Sequence, residues 1–228
     1  LRDQIKKNKD KQYLTHLKWN LLNFKKNLKN ITAKNCLGDL VSLKIFGGNC
    51  CLAMGGAHWI GLYLDIIEAT NLQNMTVASD ISFNYESPRS KEIPMLSGSI
   101  FIKNQYSPSL DITFERKSHL APVALFIYSF GIIELTFDGF LRVSSILDKD
   151  DLKSFQYKKA ESLVEESFNI AQDFNPFKTI LLDEAKVELE IGLKVSEIYL
   201  AALKQPIVLG SIKKTLEGLT TTEPVKIT

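Results

Sequence analysis

The sequence predicts an α+β fold, a large and mainly antiparallel open β-sheet with helices packed on one face. Three observations carry that expectation. After Asn71 the apolar period changes to two, with Leu110, Ile112 and Phe114 alternating against Asp111, Thr113 and Glu115. Asp138-Gly139 sits between two apolar runs, the signal of a two-residue hairpin turn. From Thr179 to Leu203 the residues Leu181, Ala185, Leu189, Gly192 or Leu193, Ser196, Leu200 and Leu203 recur at helical spacing, and Gln205-Pro206 ends the pattern.

Element by element, Leu1 to Lys9 reads as the tail of a helix. Gln12 to Trp19 reads as a strand with Tyr13, Thr15, Leu17 and Trp19 on one face. Leu21 to Ile31 is expected to be a helix that buries Leu21, Phe24, Leu28 and Ile31 and turns its lysines outward. Gly38-Asp39 opens a strand through Phe46. Leu52 to Ala69 suits a helix that begins near Gly55-Gly56 and buries Ile60, Leu64 and Ile67. Val77 to Tyr85, Leu96 to Lys103, Leu110 to Arg116, Ala121 to Tyr128, Ile132 to Phe137 and Phe140 to Ser145 follow as strands. Glu161 to Ala171 is expected to be a short helix with Leu163, Phe168 and Ala171 inward. Glu86 to Pro94, with two prolines and four charges, is a loop. No repeat or low-complexity linker divides the chain.

The chain has 228 residues, and 45% hydrophobic beside 24% charged residues argue against disorder. No apolar run approaches the ~18 residues of a membrane span. The first residue is Leu1 and no signal-peptide pattern follows it, so the sequence is expected to begin inside a longer protein. The formal net charge of +2 conceals an asymmetry. Residues 1–34 hold ten Lys/Arg against Asp3 and Asp10, and the rest is net acidic. A basic arm can bind nucleic acid or an anionic small ligand. Here it is interleaved with Tyr13, Leu17, Trp19 and Phe24, which favours a solvated helix face or a domain contact.

The three cysteines, Cys36, Cys50 and Cys51, form no C-x-x-C pair, so no metal site is expected and they read as small buried hydrophobes in a reducing compartment. There is no G-x-G-x-x-G, no G-x-x-x-x-G-K-[ST], no G-x-S-x-G and no H-E-x-x-H. The histidines are His16, His58 and His119. The one dense constellation is Gly47-Gly48-Asn49-Cys50-Cys51-Leu52-Ala53-Met54-Gly55-Gly56-Ala57-His58-Trp59, with a strand leading in and an apolar helix leading out. Glycines allow a ligand close to the backbone, a helix N-terminus offers free N–H groups, and a histidine beside them can move a proton. Trp59 could then flank a flat or sugar ligand. A histidine capping its own helix, or filling the core beneath it, fits the same residues.

The stretch Cys36-Leu37-Gly38-Asp39-Leu40, Gly47-Gly48-Asn49 and Gly55-Gly56-Ala57-His58-Trp59-Ile60-Gly61-Leu62 resembles the C-terminal domain of the glucose–fructose oxidoreductase / inositol dehydrogenase / rhizopine catabolism (Gfo/Idh/MocA) family. Tyr13 to Asn20 looks like the strand that opens this domain, and Phe24 to Leu28 like the helix after it. The resemblance implies a dihydrodipicolinate-reductase-like C-terminal domain. Residues 1–35 would be the remnant of the junction with an N-terminal Rossmann domain, and 36–228 the substrate-binding and oligomerisation domain. It also implies NAD or NADP, bound mainly by that other domain, and an oxidoreductase acting on a sugar, cyclitol or nucleotide-sugar hydroxyl. His58 matches the family's proton-transferring histidine. Lys18, or alternatively Trp19, falls where a substrate-contacting arginine often lies. Asn49 matches the asparagine of one family variant. The family's two common aspartates are replaced by Met54 and Gly61.

The resemblance further implies a homo-oligomer formed through the open sheet face, a cytoplasmic protein, and no nucleic-acid or membrane partner. The chain alone would be inactive without the lysine of the family's Glu-Lys-Pro motif, which does not occur here. The alternative is a non-catalytic oligomerisation or ligand-sensing module of the same fold.

Overall fold

A computed structural model describes residues 24–48, 52–68, 75–84, 95–104, 107–115, 117–136, 139–146, 160–167 and 184–204. The elements in chain order are α1 (Phe24–Lys34), β1 (Leu40–Gly48), α2 (Leu52–Ile66), β2 (Met75–Asn84), β3 (Met95–Asn104), β4 (Ser107–Glu115), β5 (Val123–Tyr128), β6 (Gly131–Thr136), β7 (Phe140–Ser145), β8 (Glu161–Ser167) and α3 (Glu184–Lys204). The helix and strand expected in residues 1–9 and 12–19 lie outside the described residues.

The strands form one eight-stranded sheet in the order β2-β3-β4-β1-β5-β6-β7-β8. Its only parallel pair among the described strands is β1 with β4, in the register Ile45 opposite Ile112. That pair follows from the path of the chain. After β1 the chain crosses through α2 to the sheet edge, and β2, β3 and β4 meander back until β4 lies beside β1. On the other flank β5 pairs antiparallel with β1, and β6, β7 and β8 continue outward.

Alternation along β1 and β4 to β7 makes one buried face. Leu43 and Ile45 of β1, Leu110, Ile112 and Phe114 of β4, Ala124 and Phe126 of β5, Ile133 and Leu135 of β6, and Leu141 and Val143 of β7 are all within 1% of full burial. Each such large aliphatic or aromatic side chain contributes roughly 1.5–3 kcal/mol relative to exposure. The described helices pack on the β2 to β5 part of this face. α2 lies over β3 and β4, and α3 over β2 and α2. α1 sets Phe24 against Phe126, with ring centroids 6.0 Å apart. The opposite face carries Lys44, Phe46, Phe101, Ile132, Glu134 and Arg142.

Two expectations are corrected. Residues 161–167 are the edge strand β8, not a helix. The free backbone edge of β7 takes up the segment, with Val143 opposite Val164 and Arg142 opposite Glu165. Ladder hydrogen bonds to a ready-made edge outweigh a short helical spacing that nothing else supported. Cys36 is exposed, not buried. It ends α1 at φ 48°, while its own N–H bonds to Ala33 and that of Leu37 bonds to Thr32. That double bond is a Schellman turn, which satisfies the last carbonyls of the helix and leaves its left-handed residue at the surface.

The β6–β7 hairpin is where Asp138-Gly139 suggests it, but its connection is three residues long. Leu135 pairs with Leu141, Thr136 Oγ1 bridges to the Phe140 backbone, and Gly139 takes φ 101°. A three-residue loop with glycine in the left-handed position is the next commonest hairpin after the two-residue turn.

Candidate active site

The Gly-rich constellation lies where β1 leaves the sheet and α2 returns over it. β1 and β4 run parallel, so both end at the same edge of the sheet, and the β4–β5 connection has to cross the end of β1. It does so in contact. The Gly48 N–H donates to the Leu120 carbonyl at 2.8 Å. A Cβ on Gly48 would collide with the Ser118 carbonyl, and one on Gly47 would lie 2.9 Å from the Pro122 Cα. Ser118 ties the crossing loop to itself, its Oγ accepting the Leu120 N–H at 3.2 Å. Two glycines here serve a backbone crossing, and the loop they admit carries exposed Lys117, His119 and Leu120 to this end of the sheet.

α2 begins at Leu52, so Gly55 and Gly56 lie within it rather than at its start. His58 is its seventh residue and sits beyond the first turn, where the free N–H groups are. This corrects the expectation of a histidine at the helix mouth. Two stripes run along the helix. Leu52, Gly56, Trp59 and Tyr63 are buried, and the Tyr63 hydroxyl donates to the Pro108 carbonyl at 2.8 Å. Burial pushes the Tyr63 phenol up to about 12. The other stripe is Met54, His58, Gly61 and Asp65, of which Met54 is exposed and His58 half-buried. At 3.6 residues per turn these four share one side of the helix.

The far end of that stripe meets α1. Lys25 Nζ lies 3.5 Å from Asp65 and 3.1 Å from Glu68, and Lys29 Nζ lies 3.2 Å from Glu68. Hydrogen bonds and charge from the two lysines hold the Glu68 carboxyl below its usual range. These acids stand about two turns or more beyond His58 and are engaged with α1. Residues within one turn of His58 on α2 include no carboxylate.

The remaining expected site residues are placed as follows. Lys18, Trp19 and Asn49 lie outside the described residues, as do Cys50, Cys51 and His16. Trp59 is fully buried in the core. No group of three or more His, Cys, Asp or Glu that could hold a metal ion occurs among the described residues. No helix among them is long and apolar enough to cross a membrane. Sequence reasoning missed the loop 117–122 and the contact of Tyr199 with the start of α2. The parallel β1–β4 pairing creates the first, and nothing local in residues 117–122 signals it. For the second, the Gly55-Gly56 pair was the available sign of a close approach.

The sequence matches no protein-family model and no curated protein. Solved structures do resemble it. A mutant of KijD10, a 3-ketoreductase from Actinomadura kijaniata in complex with TDP-benzene and NADP, superposes with a TM-score of 0.60 at 11% identity, over 88% of this chain and 65% of that one. UDP-N-acetylglucosamine 3-dehydrogenase GnnA from Acidithiobacillus ferrooxidans gives a TM-score of 0.53 at 6% identity, over 88% and 65%. The likeness is one of fold. This chain spans about two-thirds of the length of each of these oxidoreductases, and the open antiparallel sheet with helices on one face is the part held in common.

Among the described glycines of the β1–α2 passage, Gly47 and Gly48 are packed under the crossing loop and Gly56 is packed against Tyr199.

Proposed function

We infer that the chain is the substrate-binding and assembly part of an NAD(P)-dependent oxidoreductase of the Gfo/Idh/MocA type, acting on a sugar, cyclitol or nucleotide-sugar hydroxyl. The observation that carries this reading is the position of His58. The one motif-like stretch of the sequence puts a half-buried histidine on the helix that leaves β1, within a fold shared with a 3-ketoreductase solved with TDP-benzene and NADP and with a UDP-N-acetylglucosamine 3-dehydrogenase. On this reading His58 exchanges the proton of the reacting hydroxyl. Lys18 and Asn49 hold substrate oxygens, and Trp59 fixes the helix from the core side. NAD or NADP belongs mainly to a nucleotide-binding domain outside these residues. The chain alone is then inactive.

The exposed sheet face is the assembly surface. Phe46, Phe101 and Ile132 are exposed there, and Val123, Leu125 and Ile127 are half-buried between them. Lys44, Asp111, Glu134 and Arg142 are interspersed with them. Pairing with a second copy in the cytoplasm would remove this apolar surface from water.

A second reading, a non-catalytic oligomerisation or ligand-sensing module, is favoured by Met54, an exposed methionine one turn before His58 where the family commonly has an aspartate. Activity separates the two. The complete protein is assayed for NAD(P)-linked oxidation or reduction of sugars and nucleotide sugars. Turnover that depends on His58 supports the enzyme. Sugar binding without turnover, with an intact cofactor domain, supports the module.

A further inference from the structure

α2 starts weakly on its own account. Its first turn holds no acidic residue to favour the helix dipole. Gly55 and Gly56 follow at once, and each weakens a helix relative to alanine. His58 nevertheless stands only two residues beyond Gly56.

α3 supplies the missing constraint. The Tyr199 hydroxyl donates to the Leu52 carbonyl, joining residues 147 positions apart. In a regular helix that carbonyl also accepts the N–H of residue 56, so one oxygen of the first turn serves both the helix and its tertiary partner. Gly56 makes room for this. A Cβ there would lie 2.5 Å from the Tyr199 hydroxyl oxygen but 3.7 Å from the ring carbon that bears it. Tyr199 is in turn well anchored. α3 buries Ile191, Val195, Ile198 and Ala202, and the Ser79 hydroxyl of β2 donates to the Ala202 carbonyl at 2.6 Å.

We propose that Tyr199 is the positioning residue of His58: its hydroxyl, seated on Gly56 and bonded to Leu52, sets the first two turns of α2 and so the placement of the imidazole. The consequence for catalysis rests on the proposed role of His58; the placement itself does not, and it is tested without turnover.

Amide hydrogen exchange at residues 53–60 and the NMR signals of the His58 ring, measured on the 228-residue chain, provide the readouts. Tyr199→Phe keeps the ring and removes the hydroxyl. Exchange at 53–60 is expected to quicken roughly 3- to 10-fold, the size of one lost hydrogen bond. The His58 ring signals are expected to shift while exchange in β1 and β4 is unchanged. Gly56→Ala separates tertiary from local control. Higher intrinsic helix propensity alone would slow exchange, whereas a Cβ that displaces the hydroxyl is expected to quicken it. With Phe at 199 the same alanine meets the Leu52 Cδ1, the end of a flexible side chain, at 3.3 Å and the ring carbon at 3.7 Å, so the double variant is expected to exchange more slowly than Tyr199→Phe alone. Slower exchange on Gly56→Ala in both backgrounds, or unmoved His58 signals in Tyr199→Phe, would overturn the proposal while leaving the function of His58 to be judged by activity.

Discussion

The hydroxyl of Tyr63 donates to the carbonyl of Pro108 at 2.8 Å, pinning the second half of α2 to the first residues of β4. The phenol is raised to about 12 by burial, so it stays a donor across the neutral range. Tyr63→Phe leaves the carbonyl without this partner and is expected to cost about 1 kcal/mol of stability, read from urea unfolding. The same residue gives an alkaline signature. The folded state favours the protonated phenol, so its contribution is whole below the unfolded value near 10 and is lost as pH rises from 10 towards 12. Tyr63→Phe is therefore expected to flatten the fall in stability over that window.

The ion pairs of α1 with α2 have the opposite sign. Glu68 is held below its usual range by Lys25 and Lys29, so its contribution is present above the ordinary carboxylate value and lost as pH falls through the lowered one. Glu68 is fully exposed in this setting, and salt screens it. Glu68→Gln is expected to weaken the salt dependence of thermal unfolding near pH 7 and to reduce the drop in stability below about pH 4.5.

Gly48→Ala would place a Cβ on the Ser118 backbone carbonyl. A carbonyl held in a crossing loop cannot swing aside as a side chain can. The substitution is expected to destabilise by about 2 kcal/mol or more and to move the loop that carries Lys117 and His119. Urea unfolding with an unchanged m value, together with shifted amide signals at residues 117–121, would register both effects.

Much of the fold was legible because each signal was local. The alternation Leu110, Ile112, Phe114 gives β4 its buried face, the Asp138-Gly139 pair lies in the β6–β7 hairpin, and the helical spacing gives α3, though on another face: Ile191, Val195, Ile198 and Ala202 are buried while Leu200 of the expected stripe is exposed. What the sequence hid was long-range. β8 exists because β7 offers an edge, and the spacing of Leu163 and Phe168 carries no trace of that edge. The parallel pairing of β1 with β4 depends on where three later strands return the chain. At the site, the histidine and its helix were readable from the Gly-rich run. The glycine pair reads in the sequence as the opening of this helix; it lies inside α2, which begins at Leu52, and Gly56 meets Tyr199.

The open sheet face leads to a prediction about assembly. Phe46 stands between Thr113 and Val123 in the register of β4, β1 and β5, with its ring in solvent. Phe46→Glu puts a charge at the middle of the proposed contact without touching the buried face. Sedimentation is expected to show a dimer or larger assembly for the unaltered chain and a shift to monomer for the variant. A strict monomer over a wide concentration range before any substitution would remove the assembly role.

The central claim is that His58 moves the proton of a sugar hydroxyl. Its most direct test is the kcat of His58→Ala in the complete protein, with NAD(P)(H) and the sugar or nucleotide sugar that it turns over. The account predicts a fall of about 10²-fold or more with the fold intact. An unchanged kcat would contradict it.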